Sequence, residues 1–412
     1  MGTIKESADQ EKNAVLFRYP TRKTPSKASS VYFDDSIPAF VVSRYEDILF
    51  VLNNPEIFSS REALGPGLGA CLSGIVNHLS VQELGYLSAP TTLVCADDPL
   101  HSSLRKPSAR AFAAGAIRRM EPKMVAICEE LLDEIKEDGQ TINFVTQLAQ
   151  PLVSRVMAEV FGVPEKDYED FRRWTGDMVA ISSKGEITSE LMGKYLSSSK
   201  AFAAYIETRI NELHQRSDGS ILAKMLSSLE GDSALKLSHL LKVCHTIIVA
   251  SHEPTCQMLT NLVVRLANDA PLQETIRANH IEGTTQFVDE MLRLESPVQK
   301  TFRTTTREVN VGGVPIPARS HVMLCNGVGN LDEHAFSEPD KLHLRSSSSE
   351  RHLSFGYGRH FCIGAPLART QACVVVRALL IRFRRMRCEQ IKTGGAAALN
   401  CTPPALNIAF WH

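Results

Sequence analysis

"SFGYGRHFCIGAPLAR", residues 354–369, places Gly356, Gly358, Gly364 and His360 around a single cysteine, Cys362. A buried structural thiol needs no such surroundings, because free cysteine packs as a small hydrophobe wherever there is room. So much backbone freedom and so little bulk describe a loop bent tightly around a sulfur that something else approaches.

The residues alone leave three readings of that loop. The thiol can be incidental to a glycine-rich turn before a helix. It can join His360 as a zinc ligand, but zinc takes three or four ligands at suitable spacing and no second Cys/His pair is evident. Or the thiolate can bind a haem iron, which requires a sulfur screened from water and steadied by backbone N–H donors. Gly358 and Gly364 would let the backbone wrap that closely, and thiolate ligation favours cleavage of an O–O bond.

The rest of the chain bounds these readings. It has 412 residues, a formal net charge of −1, 43% hydrophobic and 22% charged residues, which is ordinary globular composition. No linker, composition break or internal repeat divides it, so the expected architecture is mainly α with a minor β part, in one large domain spanning 1–412. The absence of a long Lys/Arg run argues against a nucleic-acid partner. The opening "MGTIKESADQEKN", residues 1–13, is polar and expected to be disordered; it has no apolar signal core and misses the myristoylation pattern at Glu6. No apolar run is long enough to span a bilayer. The ten cysteines form no C-x-x-C pair, and their scatter reads as reduced thiols of a cytoplasmic protein.

Along the chain, "PAFVVSRYEDILFVLNNPEIFS" (38–59) reads as a strand and a short helix. The Gly-, Ser- and Leu-rich stretch Arg61–Asp97 shows little periodicity and is a candidate substrate lid. From Pro99 to about Leu229 the spacing is helical, as in "MVAICEELLDEIKED" and "SKAFAAYIETRINELHQR". Leu237–Ala267 is a long helical pattern with few charges, expected to be central and buried. "REVNVGGVPIPARSHVMLCN" reads as two strands joined at Gly312–Gly313, and "PLARTQACVVVRALLIRF" as a helix after the cysteine loop.

Phe355-Gly356-x-Gly358-x-His360-x-Cys362-x-Gly364, followed by Leu367-Ala368-Arg369, resembles the haem-binding signature of the cytochrome P-450 family. Other segments match in the family's order. "DEMLR" supplies Glu290 and Arg293 as the family's Glu-x-x-Arg pair, and "DDPLHSSLR" resembles its Asp-x-Pro-x-His-x-x-x-Arg segment. The resemblance places His101, Arg105, Arg303 ("SPVQKTFR") and His352 ("RHLSFG") in columns that contact the haem propionates. That chemistry is sound, since arginine pairs strongly with carboxylates. The similarity runs from "VVSRYEDILFVLNNPEIFSS" (41–60) to the last helix and implies the cytochrome P-450 fold.

Three departures stand out. The family's Asn-Arg-Asp is here Asn330-Leu331-Asp332, and the glutamate that commonly follows Leu-Ala-Arg is Gln371. In the central helix, "ASHEPT" (250–255) keeps Ala250 and Glu253 of the family's Ala-Gly-x-Glu/Asp-Thr but has Ser251 for the glycine and Pro254 for the threonine. That threonine ordinarily helps deliver protons during oxygen activation. Thr255 is adjacent, but a helix turns about 100° per residue, so it points elsewhere. Proline removes its own N–H and clashes with the carbonyl four residues earlier, so the helix is expected to open at Ala250.

The resemblance implies a haem-thiolate monooxygenase that inserts one oxygen atom of dioxygen into a small organic substrate, in secondary-metabolite chemistry. Cys362 would be the axial ligand of haem b iron, Glu253 the proton-relay candidate, and ferredoxin with ferredoxin reductase the electron source for a cytoplasmic monomer. Two alternatives keep the haem: oxidative coupling, ring closure or peroxide-driven chemistry, and haem binding without turnover. The pocket walls are expected from Arg61–Asp97, His245–His252 and Val298–Phe302.

Overall fold

The computed structural model describes residues 30–65, 92–183, 188–229, 237–344, 351–392 and 405–412. The N-terminal thirteen residues, and residues 66–91 of the candidate lid, lie outside them. The described chain opens with strands β1 (Val31–Asp34) and β2 (Ala39–Val42), helix α1 (Tyr45–Asn53) and β3 (Phe58–Ser59). Helices then dominate: α2 (Leu100–Ala111), α3 (Ala114–Leu132), strand β4 (Gln140–Asn143), α4 (Gln150–Phe161), α5 (Tyr168–Ser183), α6 (Ser189–Gln215), α7 (Ile221–Leu229), α8 (Leu237–Ala267), α9 (Ala270–Ala278) and α10 (Glu282–Leu294). Strands β5 (Thr301–Thr305), β6 (Val309–Val311), β7 (Val314–Ile316) and β8 (His321–Leu324) follow, then the single turn α11 (Asn326–Gly329), α12 (Ala365–Arg382), β9 (Arg385–Lys392) and β10 (Ala405–Trp411). No helix among the described residues is long and apolar enough to cross a membrane.

The mainly helical, minor-sheet expectation holds, and α8 has the anticipated bounds. Between Arg307 and Asn326 the chain makes three strands rather than two. The hairpin β6–β7 turns at Gly312–Gly313, and β8 leaves it to lie parallel to β2. The resulting five-stranded sheet runs β1-β2-β8-β5-β3. A second sheet, β4-β10-β9, joins the middle of the chain to its end.

Two large apolar cores result, with a small third cluster of Ala39, Val41, Phe302 and Met323 on the first sheet. The larger is helical and gathers side chains of α3, α4, α6, α8, α10 and α12, including Leu259, Leu262, Val375 and Leu379. The smaller lies under the first sheet, where Val42, Ile48, Val322 and Leu324 meet Phe336 and Leu353. The cysteine loop runs between them: Leu353 belongs to the sheet-side core, whereas Leu367 is buried in the helical core and Phe355 and Ile363 pack on it.

Helix α10 braces that loop. Glu290 and Arg293, three apart on one face, form a two-pronged pair, Nη2 to Oε1 at 2.8 Å and Nε to Oε2 at 3.0 Å. Arg293 also donates to the carbonyls of Asn330, Pro339 and Lys341, and the His343 N–H donates to Glu290. The guanidinium is 5% exposed and the carboxylate 15%. A charge so buried, left by deletion of its partner, costs about 3–5 kcal/mol. Glu290→Ala should therefore yield little soluble protein and a markedly lower melting temperature. Normal yield and melting would show that the pair is structurally idle.

Candidate functional site

The bend around the sulfur is made by Gly356 and Gly358, with φ of 70° and 65°. At Gly358 an added Cβ would lie 2.8 Å from the carbonyl oxygen of Leu52, so the loop rests directly on the end of α1. Gly364 plays a lesser part than its place in the motif suggests. Its φ is −82°, and a Cβ there would meet the Cys362 sulfur at an ordinary 3.8 Å. The loop closes through the Cys362 N–H, which donates to the Phe355 carbonyl at 2.8 Å.

Helix α12 starts three residues after Cys362, so the sulfur lies at a helix N-terminus, where thiolates are favoured. Burial pushes the thiol's pKa up; the Gly364 and Ala365 N–H groups and the Arg105 and Arg369 charges oppose that rise. Among the described residues, no three His, Cys, Asp or Glu side chains gather as a metal cluster, so the zinc reading lacks a ligand set.

Above the loop the structure collects His101, Arg105, Arg303 and His360. The rings of His101 and His360 stack with centroids 3.9 Å apart. His360 is held through Nε2 by the Ser60 hydroxyl at 3.1 Å. Burial, reinforced by the neighbouring cations, pushes both imidazoles down, His101 to about 4 and His360 to about 3. Burial likewise lowers Arg303 to about 10.

The described hydrogen bonds of the two guanidinium groups go to carbonyl oxygens, Arg105 to Phe361 at 2.5 Å and Arg303 to Phe302 at 2.6 Å. The buried Nε2 of His101 has no partner. Buried cations and an orphaned ring nitrogen call for an anion with several oxygens.

His352 is not part of this cluster. It lies against Arg369 at 3.1 Å and near Asp289, and its ring packs on Phe355. His360, which the sequence offered as a member of the haem-binding signature and as a zinc ligand but not in a propionate column, stands in the group instead. Its position two residues before Cys362 was the available signal.

On α8, Ala250 is exposed although Ile247, Ile248, Glu253 and Thr255 around it are buried. The helix is continuous through Pro254, so the expected opening at Ala250 does not interrupt it. The bonds of the flanking turns and the burial of Cys256, Met258 and Leu259 hold the backbone past the missing N–H. The Ser251 hydroxyl donates back to the Ile248 carbonyl at 3.1 Å. His245, an expected wall residue, lies about 140° around the helix from Ala250 at 100° per residue. It instead meets the Tyr195 hydroxyl of α6 at 3.1 Å.

The cytochrome P450 family model matches residues 36–393. The chain belongs to the cytochrome P450 family. Cytochrome P450 130 of Mycobacterium tuberculosis is 31% identical over 344 residues, 83% of this chain and 81% of its own. Erythromycin C-12 hydroxylase of Saccharopolyspora erythraea is 30% identical over 295 residues, 71% of this chain and 73% of its own. The solved structure of CYP109Q5 from Chondromyces apiculatus superposes with a TM-score of 0.78 at 26% identity, covering 98% of this chain and 96% of that one.

This P450 is thus a haem-thiolate monooxygenase, and its residues fit that cofactor. A helix-capped thiol, an exposed alanine on the central helix, two guanidinium groups and an orphaned imidazole suit an iron porphyrin with two carboxylates.

Gly358→Ala would force a side chain into the left-handed region, costing about 1–2 kcal/mol, and press it on Leu52. The variant should lose haem during gel filtration while keeping its helical circular dichroism. Full retention of haem would show that the loop tolerates the bend without glycine.

Proposed function

We propose that this P450 hydroxylates a medium-sized organic molecule of secondary metabolism, with Cys362 as the axial ligand of haem b. The single observation that carries the reading is the cysteine loop, bent at Gly356 and Gly358 and capped by α12. Bound there, haem supplies the activation of dioxygen: one atom enters the substrate and the other leaves as water, at the expense of two electrons and two protons.

The chain's residues do the remaining work. Arg105, Arg303, His101 and His360 would hold the propionates; burial and the neighbouring cations keep both imidazoles below their ordinary basicity. Main-chain donors of Gly364 and Ala365 steady the sulfur. Electrons are assigned to a ferredoxin and its reductase, acting on a cytoplasmic monomer. The hydroxylase of erythromycin among the relatives supports the substrate class.

Under carbon monoxide the reduced protein should show the long-wavelength Soret band that names the family, and Cys362→Ala should abolish it. A mutant that kept the band would overturn the ligand assignment.

Proton delivery is assigned to Glu253, buried on α8 beside the exposed Ala250. Neither neighbouring hydroxyl replaces the family's threonine. That of Ser251 is spent on Ile248, and Thr255 is buried on another side of the helix. Pro254 therefore makes productive turnover depend on a hydroxyl of the substrate or on water ordered near Glu253. General-acid help of this kind is worth about a hundredfold to ten-thousandfold in rate. Wild type should lose reducing equivalents as hydrogen peroxide with substrates lacking a hydroxyl, and Pro254→Thr should raise product formed per electron. Tight coupling in the wild type with no gain in the variant would reduce Pro254 to a structural residue.

A further inference from the structure

The cysteine loop also meets a second charged group. Arg369, the fifth residue of α12, places its guanidinium carbon 4.5 Å from the centre of the Phe355 ring. Its Nε donates to Asp289 Oδ1 at 2.6 Å and its Nη2 to His352 Nε2 at 3.1 Å. Burial keeps His352 below its ordinary basicity, so the imidazole stays neutral and adds no charge. The His352 ring also packs on Phe355, with centroids 5.7 Å apart.

Phe355 therefore has a cation over its face and a neutral ring beside it. Its carbonyl accepts the Cys362 N–H at 2.8 Å. One residue thus touches both the guanidinium and the backbone of the cysteine. The arrangement is held by three elements: α12 supplies the cation, α10 its carboxylate, and the loop the two rings. It is also only partly dry, with Arg369 34% and Asp289 43% exposed, so solvent weakens the charges without silencing them.

We propose that Arg369 is a positioning residue that raises the reduction potential of the haem–Cys362 centre, and that Asp289 limits that rise by part-neutralising it. This rests on the haem-thiolate reading above. One-electron reduction, by the ferredoxin in turnover or by dithionite in the test, adds one negative charge to the centre. A nearby cation favours that state and a nearby carboxylate opposes it. The pair thus has two charges of opposite sign acting on one centre, from residues that do not touch the propionate cluster.

The test is an optical potentiometric titration of haem-loaded protein, with the carbon monoxide band recorded for each sample. Arg369→Gln should lower the reduction equilibrium constant severalfold, where tenfold is ~59 mV for one electron. Asp289→Asn keeps a hydrogen-bonding side chain but exposes the cation, and should raise it. Arg369→Lys should stay near the wild type. Mere loosening of the loop would move Arg369→Gln and Asp289→Asn the same way, so shifts of one sign overturn the proposal, as does an unmoved potential. If Arg369→Gln retains no haem, the direction of Asp289→Asn decides alone. A wild type without the carbon monoxide band would instead remove the haem-thiolate reading itself.

Discussion

The hydrogen bond from the Cys362 N–H to the Phe355 carbonyl closes the turn on which the site depends. It can form only because the chain reverses through Gly356 and Gly358, and it brings the sulfur to the start of α12. The turn is carried by a relay of polar contacts from α10. Arg293 donates to the Asn330 carbonyl, the Asn330 side chain accepts the Leu353 N–H and donates to Ser354, and the Ser354 hydroxyl donates to the Leu292 carbonyl. These groups are buried, so each bond left unmade would carry the full cost of desolvation. The loop is rigid because its supports cannot exchange with water.

The same burial shapes the electrostatics. The structure places Arg105, Arg303 and two imidazoles within a small volume, which by itself is repulsive. Desolvation drives the imidazoles neutral, and the guanidinium groups settle on carbonyl oxygens. Such a cluster is costly to a chain that only has to fold. It becomes sensible as a binding surface for carboxylates, where charge-assisted bonds replace weaker ones.

Much of this was legible in the sequence because it is local. The bounds of α8, the turn at Gly312–Gly313 and the glycines of the cysteine loop follow from periodicity and from backbone conformations that few residues adopt. What escaped is non-local. Strand β9 reads "RMRCEQIK", with four of its eight residues charged, and becomes a strand only by pairing with β10. Strand β8 looked like the continuation of a hairpin, yet its partners are β2 and β5. In the site, His101, Arg105 and Arg303 gathered as the family order implied. His360 stacks on His101 whereas His352 packs on Phe355, and motif order does not encode that.

Pro254 shows how a local rule yields to its surroundings. Alone it would break a helix, at about 3 kcal/mol, yet α8 continues for thirteen residues beyond it because the turns that follow are packed on all sides. The N–H that Pro254 lacks is the one that would bond the carbonyl of Ala250, a residue exposed beside buried neighbours. A hydroxyl there would have served two ends, satisfying that carbonyl and moving a proton. Proline can serve neither, so the Ala250 carbonyl is without its usual helical donor. Fold and chemistry meet at this point: the core stabilises a helix that keeps Glu253 but has no hydroxyl at position 254.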